Sequence, residues 1–328
     1  MSTGLIEVKN LKKYFPIKSG LLKTTTGHVK AVDDVSFSIK RGKVMGLVGE
    51  SGCGKSTAGR TLLNLLPKTQ GQVLFKGQDI HALNRKENKA LRTKMQIIFQ
   101  DPYSSLNPRL PVNDIVGEAM LEHGIVKTKQ EMHDRVVDII SKCGLFPEQA
   151  TRYPHQFSGG QRQRICIARA LAVDPEFIVC DEAVSALDVS IQSQIINLLK
   201  DMQEELGLTY MFISHDLSVV KFISDDVGVM YLGQIVEMGD KKSIFTTPLH
   251  PYTQALLSAV PSFDPEKRTG SKRILLQGDI PSPAKPPSGC RFHTRCPYAK
   301  DVCKTTVPEN KEVQPGHFVM CHKVHGVF

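Results

Sequence analysis

Gly49-Glu50-Ser51-Gly52-Cys53-Gly54-Lys55-Ser56 fits the spacing G-x-x-x-x-G-K-[ST], and the rest of the chain is read outward from it. The apolar run Val44-Met45-Gly46-Leu47-Val48 ahead of it predicts a buried strand, and Thr57 to Leu66 behind it predicts a helix. Strand, glycine-rich turn and helix in that order are the context in which this spacing grips phosphate. Glycines let consecutive backbone N–H groups converge on an anion, and the helix N-terminus adds partial positive charge. Lys55 is placed to reach the β- and γ-phosphates of a nucleotide. Ser56 is placed to put its hydroxyl on Mg²⁺, and Thr57 completes the set of nucleotide-binding candidates.

A chain of 328 residues has room for one large α/β domain and a small appendage. An apolar fraction of 41% with 23% charged residues is ordinary for a globular protein. No apolar run reaches the length of a bilayer, and Met1 to Glu7 lacks the apolar core of a secretory signal. The expectation is a cytosolic protein, or one bound to a membrane only through partners. The net charge of +9 is spread along the chain without a block of five basic residues, which argues against a nucleic-acid footprint.

Periodicity places further elements. Leu5 to Phe15 alternates like an edge strand, Pro16 to Lys30 reads as a hairpin or loop, and Ala31 to Ile39 alternates again. Gln72 to Phe75 makes another short strand. Val112 to Ala172 is helical with a break at Tyr153-Pro154, and Ile191 to Leu206 has apolar residues at helical spacing. Phe177 to Cys180 and Tyr210 to Ser214 are buried strands, so a largely parallel sheet with an all-helical insertion is expected. Pro261 to Pro287 is rich in Pro, Lys, Ser and Gly, as in a linker or a loop-dominated region.

The carboxylates Asp181 and Glu182 end the strand Phe177 to Cys180. Downstream of a phosphate loop, such a pair can hold Mg²⁺ through Asp181 and polarise an attacking water through Glu182. Ser158-Gly159-Gly160-Gln161 opens a helix between the two motifs. It reads either as a plain turn and cap or as a second anion-binding helix start. One loop already serves this chain's own nucleotide, so a second cap is most useful on a nucleotide held by another subunit.

These motifs, taken in order over Leu5 to Tyr252, resemble the ATP-binding subunits of ABC transporters. The resemblance implies a P-loop NTPase core with an antiparallel β subdomain and a helical insertion at about 101–172. It implies a nucleotide-binding domain over 1–259 and a small loop-rich extension over 260–328. In that family Ser158 to Gln161 corresponds to the signature motif, which acts in trans, and Ser185-Ala186-Leu187-Asp188 to the D-loop. Gln100 matches the Q-loop glutamine near Mg²⁺ and the transmembrane partner, and His215 matches the switch histidine on the γ-phosphate. Tyr14 or Phe15 resembles the aromatic that stacks on adenine, the choice being open. Ala183-Val184 departs from the family's Pro-Thr after the catalytic Glu, which implies altered local packing with the chemistry kept.

Asp101 to Arg109 and His250-Pro251-Tyr252-Thr253-Gln254 look like segments of peptide-type importers. The resemblance is to the second ATPase subunit of a dipeptide/oligopeptide importer. That implies a related ATPase subunit as heterodimer partner, two membrane-spanning permeases, an extracytoplasmic peptide-binding protein and a place on the cytoplasmic face of the membrane. Nickel, haem and sugar importers share much of this cassette, and a soluble ABC ATPase on nucleic acid or a redox-sensing module with an idle cassette are the competing readings.

Eight cysteines divide unevenly. Cys53, Cys143, Cys166 and Cys180 are scattered, as free thiols or small core residues are in a reducing compartment. Cys290, Cys296, Cys303 and Cys321 are spaced C-x5-C, C-x6-C and C-x17-C. Zinc ribbons favour paired C-x2-C knuckles, whereas wider spacings suit four thiolates on an iron–sulfur cluster. The peptide-importer extension, which holds [4Fe–4S] clusters in some members, points the same way. Structural zinc, with help from His293, His317, His322 or His325, and no metal at all are the alternatives.

Overall fold

The computed structural model describes residues 4–20, 24–260 and 274–328. In chain order its strands are β1 (Ile6–Ser19), β2 (Thr24–Ile39), β3 (Val44–Val48), β4 (Gln70–Phe75), β5 (Gln78–Asp79), β6 (Met95–Ile98), β7 (Phe177–Asp181), β8 (Thr209–Ile213), β9 (Asp226–Tyr231), β10 (Gln234–Asp240), β11 (Lys311–Gln314) and β12 (His317–Val319). Its helices are α1 (Lys55–Leu62), α2 (Arg85–Lys94), α3 (Val112–Glu122), α4 (Lys129–Lys142), α5 (Gly159–Leu171), α6 (Val189–Leu206), α7 (Leu217–Ile223), α8 (Lys241–Thr246), α9 (Pro251–Ser258) and α10 (Asp301–Thr305). Two compact units share these elements. One takes Met1–Ile39, Val44–His81 and Ser214–Phe328, and the other takes Lys40–Lys43 and Ala82–Ile213.

In the first unit β2, β1, β4 and β5 form an antiparallel sheet in that order. Leu5 to Phe15 was expected at an edge, but β1 lies inside, with β2 on one side and β4 on the other. Of the hairpin or loop expected over Pro16 to Lys30, the structure has the hairpin, with β1 and β2 pairing as far as Ser19 with Thr24. Val29, Thr25 and Thr26 are β-formers, and cross-strand pairing, with register shifts along its length, carries the two strands past Gly27. A second sheet runs β11, β12, β10, β9, β3, in which only β3 and β9 are parallel. Val44, Met45, Leu47 and Val48 are each at most 2% exposed. Burial on both faces is why β3 is an unbroken apolar run rather than an alternating one. Each such side chain contributes about 1.5–3 kcal/mol by leaving water.

In the second unit β8, β7 and β6 are parallel and paired in that order. Every residue of β7 and β8 is buried. The helical insertion is present as α3, α4 and α5, and the break at Tyr153-Pro154 is a 3-10 turn over Pro154–Gln156.

The Cys-bearing extension is less loop-like than its sequence suggests. Its strands β11 and β12 form a hairpin that pairs onto β10 through Glu237–Val319 and Met238–Phe318. Glu237, fully buried, accepts the Leu249 and His250 N–H groups at 2.8 and 3.0 Å and His317 Nε2 at 2.8 Å. His250 Nδ1 accepts the Tyr252 N–H at 3.1 Å, capping α9. Burial lowers its pKa to about 3, so the folded state keeps the ring neutral.

The unfolded chain takes up a proton on this histidine near pH 6.5 while the folded chain refuses it. The stability held in neutral His250 is therefore complete above about pH 6.5 and drains as the pH falls toward 3. Urea-unfolding midpoints measured between about pH 7 and pH 4 should drop less steeply in His250→Asn, whose side-chain oxygen keeps the cap. Parallel profiles for variant and wild type would remove His250 from that acid sensitivity.

Candidate nucleotide-binding and hydrolysis site

The first unit supplies the phosphate loop. Gly54 has φ 111°, and a Cβ there would sit 2.0 Å from Ala31 O, so only glycine fits. As N-cap of α1 it makes no side-chain cap bond, leaving first-turn N–H groups of the helix to an anion. Lys55 is 4% exposed, and its Nζ donates to Gly49 O at 2.8 Å and Glu50 O at 3.1 Å. The ammonium thus rests on its own loop, on neutral carbonyls that phosphate oxygens outcompete as acceptors. Burial raises the Cys53 thiol, so this residue is a packing element and not a nucleophile.

His215 is exposed just beyond β8. Ser214 N–H donates to Leu47 O at 3.2 Å, tying this segment to the strand that leads into the phosphate loop. Asp216 caps α7 by accepting the Ser218 and Val219 N–H groups, which fixes the other side of His215. Tyr14 and Phe15, consecutive on β1, take opposite sheet faces and are both half-buried. The Tyr14 hydroxyl donates to Asp33, and burial, reinforced by that carboxylate, raises the phenol. Lys13 Nζ lies 4.7 Å from the Phe15 ring centre.

The second unit supplies the carboxylates. Asp181 is 1% exposed at the end of β7, and Glu182 follows with φ 50°. A left-handed conformation costs a non-glycine residue about 1–2 kcal/mol. Three bonds hold it there: Glu182 N–H to Ile213 O at 3.0 Å, and Ser185 N–H and Oγ to Glu182 O at 3.1 and 2.9 Å. The result aims the side chain at Gln100, whose Nε2 donates to Glu182 Oε2 at 2.8 Å. Two residues 82 positions apart are thereby brought together. Ala183 and Val184 are 1% and 3% exposed, so the departure from Pro-Thr falls on packing positions.

Ser158 is the N-cap of α5 in a reciprocal capping box with Gln161. Ser158 and Gly159 are exposed at that helix start, whereas Gly160 is buried, and a Cβ on it would meet Ile191 Cγ2 of α6 at 2.5 Å. Asp188 caps α6 without a side-chain bond, exposed beside Val189. The segment after Gln100 is fastened to α5: the Arg162 guanidinium lies 5.1 Å from the Tyr103 ring centre, Arg169 donates to Ser105 O, and Ser105 Oγ meets Cys166 Sγ at 3.3 Å. Spacing alone does not reveal Arg162 or Arg169, because a basic residue on a helix ordinarily marks a solvated face.

The expected iron–sulfur site is not borne out. Among the described residues no group of three or more His, Cys, Asp or Glu side chains is placed to hold a metal ion. Burial pushes the Cys290 thiol up to about 12 and raises Cys296 and Cys321. The histidines weighed for zinc are committed elsewhere. His317 bonds Glu237, while His293, His322 and His325 bond the carbonyls of Cys290, Thr306 and Val319. Neither iron–sulfur nor zinc fits Cys290, Cys296, Cys303 and Cys321, and the extension is held by its hairpin, ion pairs and aromatic packing instead.

A phosphate loop after a buried strand, and a second strand ending in Asp181-Glu182 against Gln100, define a P-loop nucleoside triphosphatase of the ABC class. Residues 32–185 match the ABC transporter family, and residues 236–303 match the oligopeptide/dipeptide transporter C-terminal region. The chain is 56% identical to the oligopeptide transport ATP-binding protein AppF of Bacillus subtilis over 97% of each chain. It is 53% identical to a putative peptide import ATP-binding protein of Brucella ovis, over 97% of this chain and 98% of that one. Among solved structures, the dimeric ATP-binding cassette MJ0796, in a post-hydrolysis state with ADP and Pi, matches with a TM-score of 0.64 at 28% identity. The match covers 72% of this chain and 98% of that one. The chain belongs to the family of ATP-binding proteins of oligopeptide ABC transporters.

The Gly160–Ile191 contact carries its own test. Gly160→Ala should destabilise the protein by about 1 kcal/mol, the overpacking cost of about 1–3 kcal/mol being partly offset by the better helix propensity of alanine. Adding Ile191→Ala, which removes the opposing methyl, should recover the overpacking part in urea titrations of the double variant.

Proposed function

We propose that this chain hydrolyses ATP to power a di- or oligopeptide importer, working as one half of an ATPase pair docked on membrane permeases. The observation that carries the reading is the Gln100–Glu182 contact at 2.8 Å, on a strained residue directly after the buried Asp181. Strain of that kind persists where the surrounding structure enforces it, and it concentrates at working sites.

In this reading adenine stacks on Tyr14 or Phe15. The triphosphate takes the N-terminus of α1 and Lys55, within the set Gly49 to Thr57. Ser56, Asp181 and Gln100 are the oxygen donors suited to Mg²⁺, a hard cation that neutralises phosphate charge when bound. Glu182 orients a water and accepts its proton as the water oxygen bonds to the γ-phosphorus. The bond from that phosphorus to the β,γ-bridging oxygen breaks, and ADP departs with that oxygen. His215 supports the γ-phosphate, and Ser158 to Gln161 of each cassette completes the site of the other, with Asp188 at the seam. The exposure of Ser158 and Gly159 supports that role.

The peptide class rests on the two curated relatives and on the match to the oligopeptide/dipeptide C-terminal region. The implied partners are a homologous ATPase subunit, two permeases and an extracytoplasmic peptide-binding protein. The chain itself sits peripherally on the cytoplasmic face of the membrane. Among the described residues no helix is long and apolar enough to cross a membrane.

Glu182→Gln keeps the hydrogen bond to Gln100 but cannot accept a proton. With its partners present it should bind ATP at wild-type affinity and turn over about 100-fold or more slowly in a steady-state phosphate-release assay. Turnover within a few-fold of wild type would take the general base away from Glu182.

A further inference from the structure

The C-terminal extension reaches into the phosphate loop itself. Arg295 donates from both terminal nitrogens to the Glu50 carboxylate, at 2.8 and 3.0 Å, forming a two-pronged ion pair. The arginine side chain is only 8% exposed and the glutamate 23%. On its other side the Glu50 backbone N–H donates to the Tyr252 hydroxyl at 3.0 Å. One residue of the loop is thus gripped at its main chain and at its carboxylate by groups from beyond residue 250.

The segment that presents Arg295 is held at several points. It follows a pair of tight turns, with His293 N–H on Cys290 O and Arg295 N–H on Phe292 O, each at 3.0 Å. Phe292, 1% exposed, packs edge-on against Tyr231 at 5.3 Å and against Tyr252 at 5.4 Å between ring centres. Arg291 is buried on Asp33 and the Leu232 carbonyl. These contacts and the β10–β12 pairing also attach the extension, so Arg295 is one of several tethers. What Arg295 adds is a fixed positive charge against the one acidic side chain within the eight-residue loop. A fork-shaped guanidinium fixes the direction of a carboxylate as well as its charge.

We propose that Arg295 is a positioning residue for ATP: it holds Glu50, and through it the phosphate loop, in the binding shape and cancels a carboxylate that would otherwise oppose the triphosphate. The inference rests on the ATP-hydrolysing reading above. By this account the extension is a working part of the nucleotide site.

The test uses the purified full-length chain and a fluorescent ATP analogue, mant-ATP. Arg295→Gln should weaken binding about tenfold, the scale of one charge-assisted hydrogen bond. Arg295→Gln combined with Glu50→Gln removes the unpaired carboxylate and keeps a neutral hydrogen-bonding pair. It should return affinity to within about threefold of wild type, a rescue that lost packing would not produce. Arg295→Lys, with charge but no fork, should fall between. Wild-type affinity in Arg295→Gln, alongside lost binding in Lys55→Ala, would overturn the proposal and leave the ATP reading standing. Weak binding that Glu50→Gln fails to rescue, together with a lowered unfolding midpoint, would reduce Arg295 to a packing residue and also overturn it. No binding by the wild-type chain would sink both readings.

Discussion

A loop that turns several backbone N–H groups toward one point has no reason to stay in that shape by itself. The amide dipoles repel one another, and the glycines that permit the shape also permit many others. Several parts of the first unit hold Gly49 to Ser56. β3 is buried on both faces and fixes one end, and α1 fixes the other. Lys55 ties the span back onto the Gly49 and Glu50 carbonyls while no phosphate competes for it. Tyr252 and Arg295 grip Glu50 from outside. Preorganisation of this kind lets an anion bind without first paying to order its host.

The second unit meets the opposite demand and keeps one residue in a strained backbone conformation. Glu182 sits in the left-handed region because its own peptide is held by Ile213 and Ser185. The cost is local and small beside the burial of β7 and β8, which gives this short stretch the support to keep one strained residue. Gly160 shows a related economy. It lies in the motif that the resemblance assigns to phosphate, yet its missing side chain also lets α5 approach Ile191 of α6. One residue can therefore answer to packing and to recognition at once.

What could be read from sequence was whatever depends on neighbours in the chain. The phosphate loop, the strand before Asp181-Glu182 and the cap at Ser158 are short-range patterns, and each emerges where its spacing placed it. The break at Tyr153-Pro154 was legible for the same reason. The inner place of β1 was not, because which strands flank it depends on β4, far later in the chain. Arg295 was invisible because its partner lies 245 positions earlier. The late cysteines misled in a different way. Their spacing satisfies a ligand count, but spacing says nothing of whether the side chains end up grouped to hold a metal.

The outermost strand of the first unit's second sheet is β11, only four residues long and carrying Lys311 and Glu312. A sheet that stopped at β10 would offer the backbone of that strand to any passing chain as a template for intermolecular pairing. The β11–β12 hairpin occupies that template and ends it in a short, charged border that few strands can extend. The same terminal segment therefore has a colloidal duty. Trimming it would bare the edge of β10.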